Sequence, residues 1–304
     1  MTALAIVQTL NGFQLGVTLF LMAAGLTLVF GIMDMINLAH GSFYMIGAYL
    51  TATFFGFFDS FLLALVLALP LAALVGLVVE IVALRTLYQR DHLDQVLATF
   101  GLILFFNELV KIIWGPVPIF MGVPEFLQGR IVFGALEYPA YRLAIIVVGF
   151  AVAIGLWFMI SRTRLGMLIR AGANNREMVT ALGVNIKLLY SLVFALGAGL
   201  AALAGAMAGP IYAVQVGMGE QILILTFVVI VIGGIGSIRG AMVGAILVGL
   251  VDTFGRVLLP GAMLALTGST AAQGVGSAIA SMSIYILMAA VLFFRPRGLF
   301  PVKG

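Results

Sequence analysis

Nine stretches of roughly twenty residues pass through this chain with almost no formal charge, each long enough to cross a hydrocarbon layer about 30 Å thick. They cover residues 10–31, 36–58, 61–84, 95–114, 142–161, 187–209, 219–237, 240–258 and 277–294. Backbone amides in lipid must find partners within their own segment, so such runs fold as α-helices. A barrel would show strands of about ten residues alternating apolar and polar side chains, and that alternation is missing. The expected fold is an all-α polytopic membrane protein, one domain over residues 1–304 with about nine transmembrane helices. The runs starting near Met35 and Gly219 have glycine at or near their polar ends. Either therefore also reads as a broken or re-entrant helix, and the expected count spans eight to ten.

Composition closes the other routes. Hydrophobic residues make up 63% and charged residues 9%, where a soluble domain carries about 25% charge. So few charges cannot cover a soluble core, and disorder fails for the same reason. With no cysteine, disulfides, thiolate metal sites and a Cys nucleophile are excluded. His40 and His92 alone cannot build a histidine metal cage. None of Lys111, Lys187 and Lys303 follows a glycine, so the chain has no phosphate-binding GxxxxGK[ST] loop. The expectation is a protein that is not an enzyme, with no catalytic residue, metal or cofactor of its own.

The net charge of +4 does not read as nucleic-acid binding, because the basic residues sit in short loops and follow the positive-inside rule. With segment 162–187 in the cytoplasm and nine alternating runs, that side receives Arg85, Arg90, Arg162, Arg164, Arg170, Arg176, Lys187, Arg239, Arg295, Arg297 and Lys303. Lys111, Arg130, Arg142 and Arg256 fall on the other side. This places the N-terminus outside and the C-terminus in the cytoplasm. The first charged side chain is Asp34, so the first run lacks the basic start of a signal peptide and is expected to be retained.

Two connections are long. Residues 115–141 contain four prolines and suit a structured external cap or docking surface. Residues 162–186 hold four of the arginines, with Met178, Ala181 and Leu182 at helical spacing. Asn174 or Asn175 is suited to cap a short helix there, whose apolar face would need a partner. Gly183 suits a left-handed helix terminus.

Polar residues cluster in GIMDMINLAHGSFY (31–44). On a helix, Asn37, His40, Gly41, Tyr44 and Ala48 share one face. Polar side chains in a span need either partners or a water-filled path, so this face reads as an interhelical hydrogen-bond network or as a border of a translocation path. The small residues Gly197, Ala201, Gly205 and Gly209, and then Gly240, Gly244 and Gly249, read as close helix packing. The GGIGSIRG segment (233–240) lacks the phosphate-loop lysine and reads as a tight turn. Asp252 with Arg256 and Glu108 with Lys111 are spaced to neutralise each other. Glu80, near the end of its run, is expected to snorkel to the interface. No unpaired mid-membrane carboxylate is evident, so an ion-coupled carrier is the weaker alternative.

Four segments resemble branched-chain amino-acid ABC transporter permeases of the LivH type: GLTLVFGIMDMINLAHGSFYMIGAYL (25–50), AGANNREMVTALGVNIKLLYSLVFALGAGLAALAGAMAGP (171–210), GGIGSIRGAMVGAILVGL (233–250) and FFRPRGLF (293–300). The resemblance implies a type II importer-like permease in the bacterial inner membrane, half of an ATP-driven pathway for leucine, isoleucine or valine. Related permeases also serve other amino acids, amides and urea. The implied partners are a second related permease, two ATP-binding subunits, a periplasmic substrate-binding protein and membrane lipid. The importer pattern E-A-A-x-x-x-G is matched in part, with Glu177 and Gly183 in place but Met178 and Val179 where the alanines stand. Asn174, Asn175, Arg176, Glu177, Ala181 and Gly183 become the ATPase-coupling candidates. Asn37, His40, Gly41 and Tyr44 become candidates for the translocation path.

Overall fold

The computed structural model describes residues 2–134, 136–269 and 271–301; Lys303, assigned above to the cytoplasmic side, lies outside them. Long helices occupy the apolar runs: α1 (Thr2–Met33), α2 (His40–Phe58), α3 (Phe61–Val82), α4 (His92–Trp114) and α5 (Ala140–Arg162). Two short helices follow, α6 (Arg164–Asn174) and α7 (Arg176–Ala181), and then α8 (Ile186–Ala208), α9 (Met218–Gly233), α10 (Ile238–Thr267) and α11 (Ala271–Phe294). Among the described residues eight helices are long and apolar enough to cross a membrane. The exception is α9, whose 16 residues span about 24 Å.

Side-chain caps explain several helix starts. The Ser60, Asn185 and Ser237 side chains accept from backbone amides three residues on and open α3, α8 and α10. Each satisfies one of the amides that a helix start leaves unpaired. The centre of the bundle is α1, α8 and α2, which are mostly buried, whereas α3, α4, α5 and α11 leave much of their apolar surface on the outside. That arrangement suits a protein whose outer solvent is lipid.

The small-residue stripes fix how closely the central helices approach. Gly197 meets Gly25 of α1, and a Cβ on Gly205 would lie 1.9 Å from the Tyr44 carbonyl oxygen of α2. Gly240 and Gly244 face Gly233 and Val229 of α9, while Gly249 faces Gly12 and Gly16 of α1.

The connections gather at two ends. At the hairpin end, residues 115–139 form a 3-10 turn (Glu125–Leu127) and two antiparallel strands, β1 (Arg130–Phe133) and β2 (Leu136–Pro139). Ile119 bridges Val214 in the segment before α9, and Tyr138 and Arg142 donate to Asn11 near the start of α1. At the arginine-rich end, Gln95 ties together residues 36, 87 and 90. Leu299 and Phe300 donate backbone bonds to Ile232 and Gly233, the last carbonyls of α9. So α9 begins inside the bundle, where Gly219 rests on the backbone of Gly41, and ends at the arginine-rich end.

One expectation fails at α2. The helix starts at His40 rather than near residue 36, and residues 34–39 are non-helical. The helix α1 stops where Asp34 turns left-handed at φ 52°, a conformation Asp tolerates better than most residues. Asn37 therefore lies in this connection and does not share a helical face with His40, Gly41 and Tyr44. Its spacing matched a helix, but the backbone there does not follow one.

Candidate functional site

The arginine-rich end carries the first candidate site. The helix α6, in a stretch that composition alone reads as loop, is capped by Thr163, whose hydroxyl accepts from Gly166 N at 3.1 Å. Of the two asparagines, Asn175 caps α7, its Oδ1 accepting from Met178 N at 2.9 Å. Asn174 is the last residue of α6. The other end of α7 is closed by Gly183 at φ 83°, with Gly183 N donating to Thr180 O and Val184 N to Val179 O. That is the left-handed terminus the sequence indicated.

Only Val179 of α7 turns inward. Met178 and Leu182 are 60% and 76% exposed, and Arg176, Glu177 and Ala181 are exposed beside them. A rigid, capped helical turn thus presents two large apolar side chains among charges. No salt bridge involves Arg162, Arg164, Arg170 or Arg176 among the described residues.

Beneath it lies a polar cluster that the sequence reading missed. Glu80 is fully buried, not snorkelled to the interface. Arg85 Nε donates to its Oε1 at 3.2 Å and Arg85 Nη2 to its Oε2 at 3.0 Å. The Ser191 hydroxyl on α8 donates to Oε2 at 2.6 Å, and the Tyr88 phenol donates to Oε1. Arg85 Nη2 also reaches Ser191 Oγ at 2.8 Å. Burial, reinforced by the bond to Glu80, pushes the Tyr88 phenol well above its ordinary value, so it remains a donor at physiological pH. The Tyr88 ring packs edge-on against Tyr190, centroids 5.3 Å apart. The signal in the sequence was Arg85 five residues beyond Glu80, but Ser191 could not be foreseen at a separation of 111 residues.

The second candidate site surrounds the 34–39 connection. His40 is fully buried against α1, where a Cβ on Gly25 would come within 2.9 Å of Nε2. Gly25 precedes the end of α1 by eight residues, so α2 begins about 12 Å inside that end. Non-helical backbone at such depth is tolerated only when protein or a cavity surrounds it, and Met35, Asn37 and Ala39 are indeed buried. Neither His40 nitrogen meets hydrogen-bond geometry, although the ring approaches the backbone of Met22, and the Asn37 amide has no partner either. Gly41 rests on the Gly219 backbone of α9 and Tyr44 on Gly205 of α8. All four candidates are directed into the packing of the subunit; none lies on its outer surface.

Three further acidic groups in the spans are paired. Asp252 receives Arg256 Nε at 2.8 Å and Glu108 receives Lys111 at 2.6 Å. Glu220 receives the Asn107 amide of α4, a pair not foreseen. Among the described residues no group of His, Asp or Glu is arranged to hold a metal.

Residues 8–292 match the family described as "Branched-chain amino acid transport system / permease component". The chain is 34% identical to the high-affinity branched-chain amino acid transport system permease protein BraD of Pseudomonas aeruginosa, over 96% of this chain and 94% of that protein. Identity to the corresponding permease LivH of Salmonella typhimurium is 32%, over 83% and 86% of the two chains. The ribose import permease RbsC of Escherichia coli is 26% identical over 76% and 72%. No solved structure matches.

Proposed function

Because the chain belongs to the family of branched-chain amino acid transport permeases, an integral inner-membrane class without enzymatic activity of its own, we propose that it is one permease subunit of an ATP-driven importer. Its cargo on this reading is leucine, isoleucine or valine, the substrate class named for its relatives. The same machinery would carry another amino acid, an amide or urea if a different binding protein served it. A second, related permease would complete the pathway, two ATP-hydrolysing subunits would dock at the arginine-rich end, and a binding protein would deliver substrate at the hairpin end. The orientation follows from the distribution of Lys and Arg: N-terminus outside, C-terminus in the cytoplasm. Single cysteines at Thr2 and Gly129 should then react with an impermeant thiol reagent applied from outside, and one at Asn175 should not. The opposite pattern would invert the topology.

The observation that carries the docking reading is the capped helix α7 with Met178 and Leu182 uncovered. An ATPase can drive the membrane helices only through a contact whose energy differs between its open and closed states. The exposed Arg176, Glu177 and Ala181, with Asn174 and Asn175 at the helix start, frame that contact. Gly183→Val forces a β-branched residue to φ 83°, a strain of about 1–2 kcal/mol, although a Cβ there would meet nothing. The variant, and likewise Glu177→Lys, should reach the membrane yet co-purify with less ATPase and lose substrate-stimulated hydrolysis. Full coupling in both would move the drive to another contact, with the 233–240 turn next in line.

The polar interior at Asn37, His40, Gly41 and Tyr44 supports a second element of the proposal, a border of the translocation path. Unwound backbone with unpartnered polar groups at membrane depth is where carriers build their sites.

A further inference from the structure

Sites that couple distant movements need a connection with defined geometry, and the foot of the bundle contains one. The α7 helix is followed by four residues and then by α8, whose first turn is fixed by Asn185 accepting from Leu188 N at 3.1 Å. One turn further along α8 stands Ser191, bonded to Glu80 of α3 and to Arg85. A Cβ on Gly172 of α6 would meet Leu189 and Ile186 of α8 at 3.5 and 3.6 Å, and the residue after Leu189, Tyr190, packs on Tyr88. The 84–91 connection is thus joined to α3 through Arg85 and Tyr88, and to α8 through Ser191 and Tyr190. We propose that the Glu80–Arg85–Tyr88–Ser191 cluster is a positioning device that carries displacement of α6–α7 from the foot of α8 into α3 and the 84–91 connection, so that these elements move as one body.

The inference rests on the reading of α7 as the ATPase contact, but it names residues that touch neither ATPase nor substrate. A carboxylate of α3 with donors from the 84–91 connection and from α8 holds the three elements in one mutual geometry. Several charge-assisted bonds must break together before α3 and α8 can part. Ordinary apolar packing between the same helices, such as Gly76 on Ala198, would permit sliding.

The test uses the assembled complex in proteoliposomes, with ATP and leucine-loaded binding protein. Glu80→Gln keeps the side-chain shape, and Arg85, 33% exposed, can then hydrate. Ser191→Ala removes only the tie to α8. Both variants should retain ATPase co-purification and basal hydrolysis within about twofold of wild type, while stimulation by loaded binding protein falls at least tenfold. Spin labels at Val82 and Leu188, in a chain with no native cysteine, should keep a constant separation through the ATP cycle in the parent and change it in Ser191→Ala. Normal stimulation with a constant separation in both variants would overturn the inference. So would a loss of stimulation that merely tracks the loss of assembled complex. Gly183→Val and Glu177→Lys serve as the reference: if both bind and couple the ATPase normally, the docking reading fails, whatever the Glu80 variants do.

Discussion

Glu80 and His40 are equally hidden from solvent, yet they are provided for in opposite ways. Glu80 has both oxygens taken by donors from the 84–91 connection and α8. His40 has neither nitrogen taken, and Asn37, three residues before it, leaves both ends of its amide unmatched. A satisfied buried network rigidifies what it joins. A buried polar group left without a partner costs about 1–3 kcal/mol. The contrast sets a carboxylate whose bonds tie α3 to the 84–91 connection and α8 against a pair of side chains, His40 and Asn37, that tie no helix to another by a side-chain bond.

The comparison is tested hardest at Glu80. Glu80→Ala removes the acceptor shared by Arg85, Tyr88 and Ser191; Arg85 can turn to water, but each buried hydroxyl left without a partner costs about 1–3 kcal/mol. The variant should melt well below the parent in detergent and assemble poorly, unlike the shape-preserving Glu80→Gln. A melting temperature close to the parent's would mean that the cluster does not hold the foot of the bundle.

The smaller effect is expected at His40. His40→Leu replaces orphaned nitrogens with apolar surface of similar volume, so stability should stay level or rise by about 1 kcal/mol. Uptake of labelled leucine by the assembled complex should fall severalfold while basal hydrolysis persists. Normal uptake would return His40 to packing alone, and a large drop in melting temperature would show that its nitrogens already have partners.

What could be read from the sequence follows physical range. Span lengths and the partition of arginines depend on local composition, so the helices fell near their expected places. The close approach of α8 to α1 and α2 was legible in the four-residue spacing of Gly197, Ala201 and Gly205, and the left-handed turn in Gly183. The Glu80 cluster was not, because Ser191 enters from a remote helix and a carboxylate near a span end reads equally well as snorkelled. Asn37 misled for another reason: its spacing to His40 and Tyr44 matches a helix, but Asp34 has already turned the chain out of one. The α6 helix was missed because an arginine-rich stretch between spans reads as a loop.

The bonds from Leu299 and Phe300 to the end of α9 bear on how the protein is made. As the chain emerges from the ribosome, α9 enters the membrane before α10 and α11 exist, and its terminal carbonyls are left open. Their partners arrive only after two more helices have been threaded. The 16-residue α9 is therefore closed at its end by residues made after two later helices.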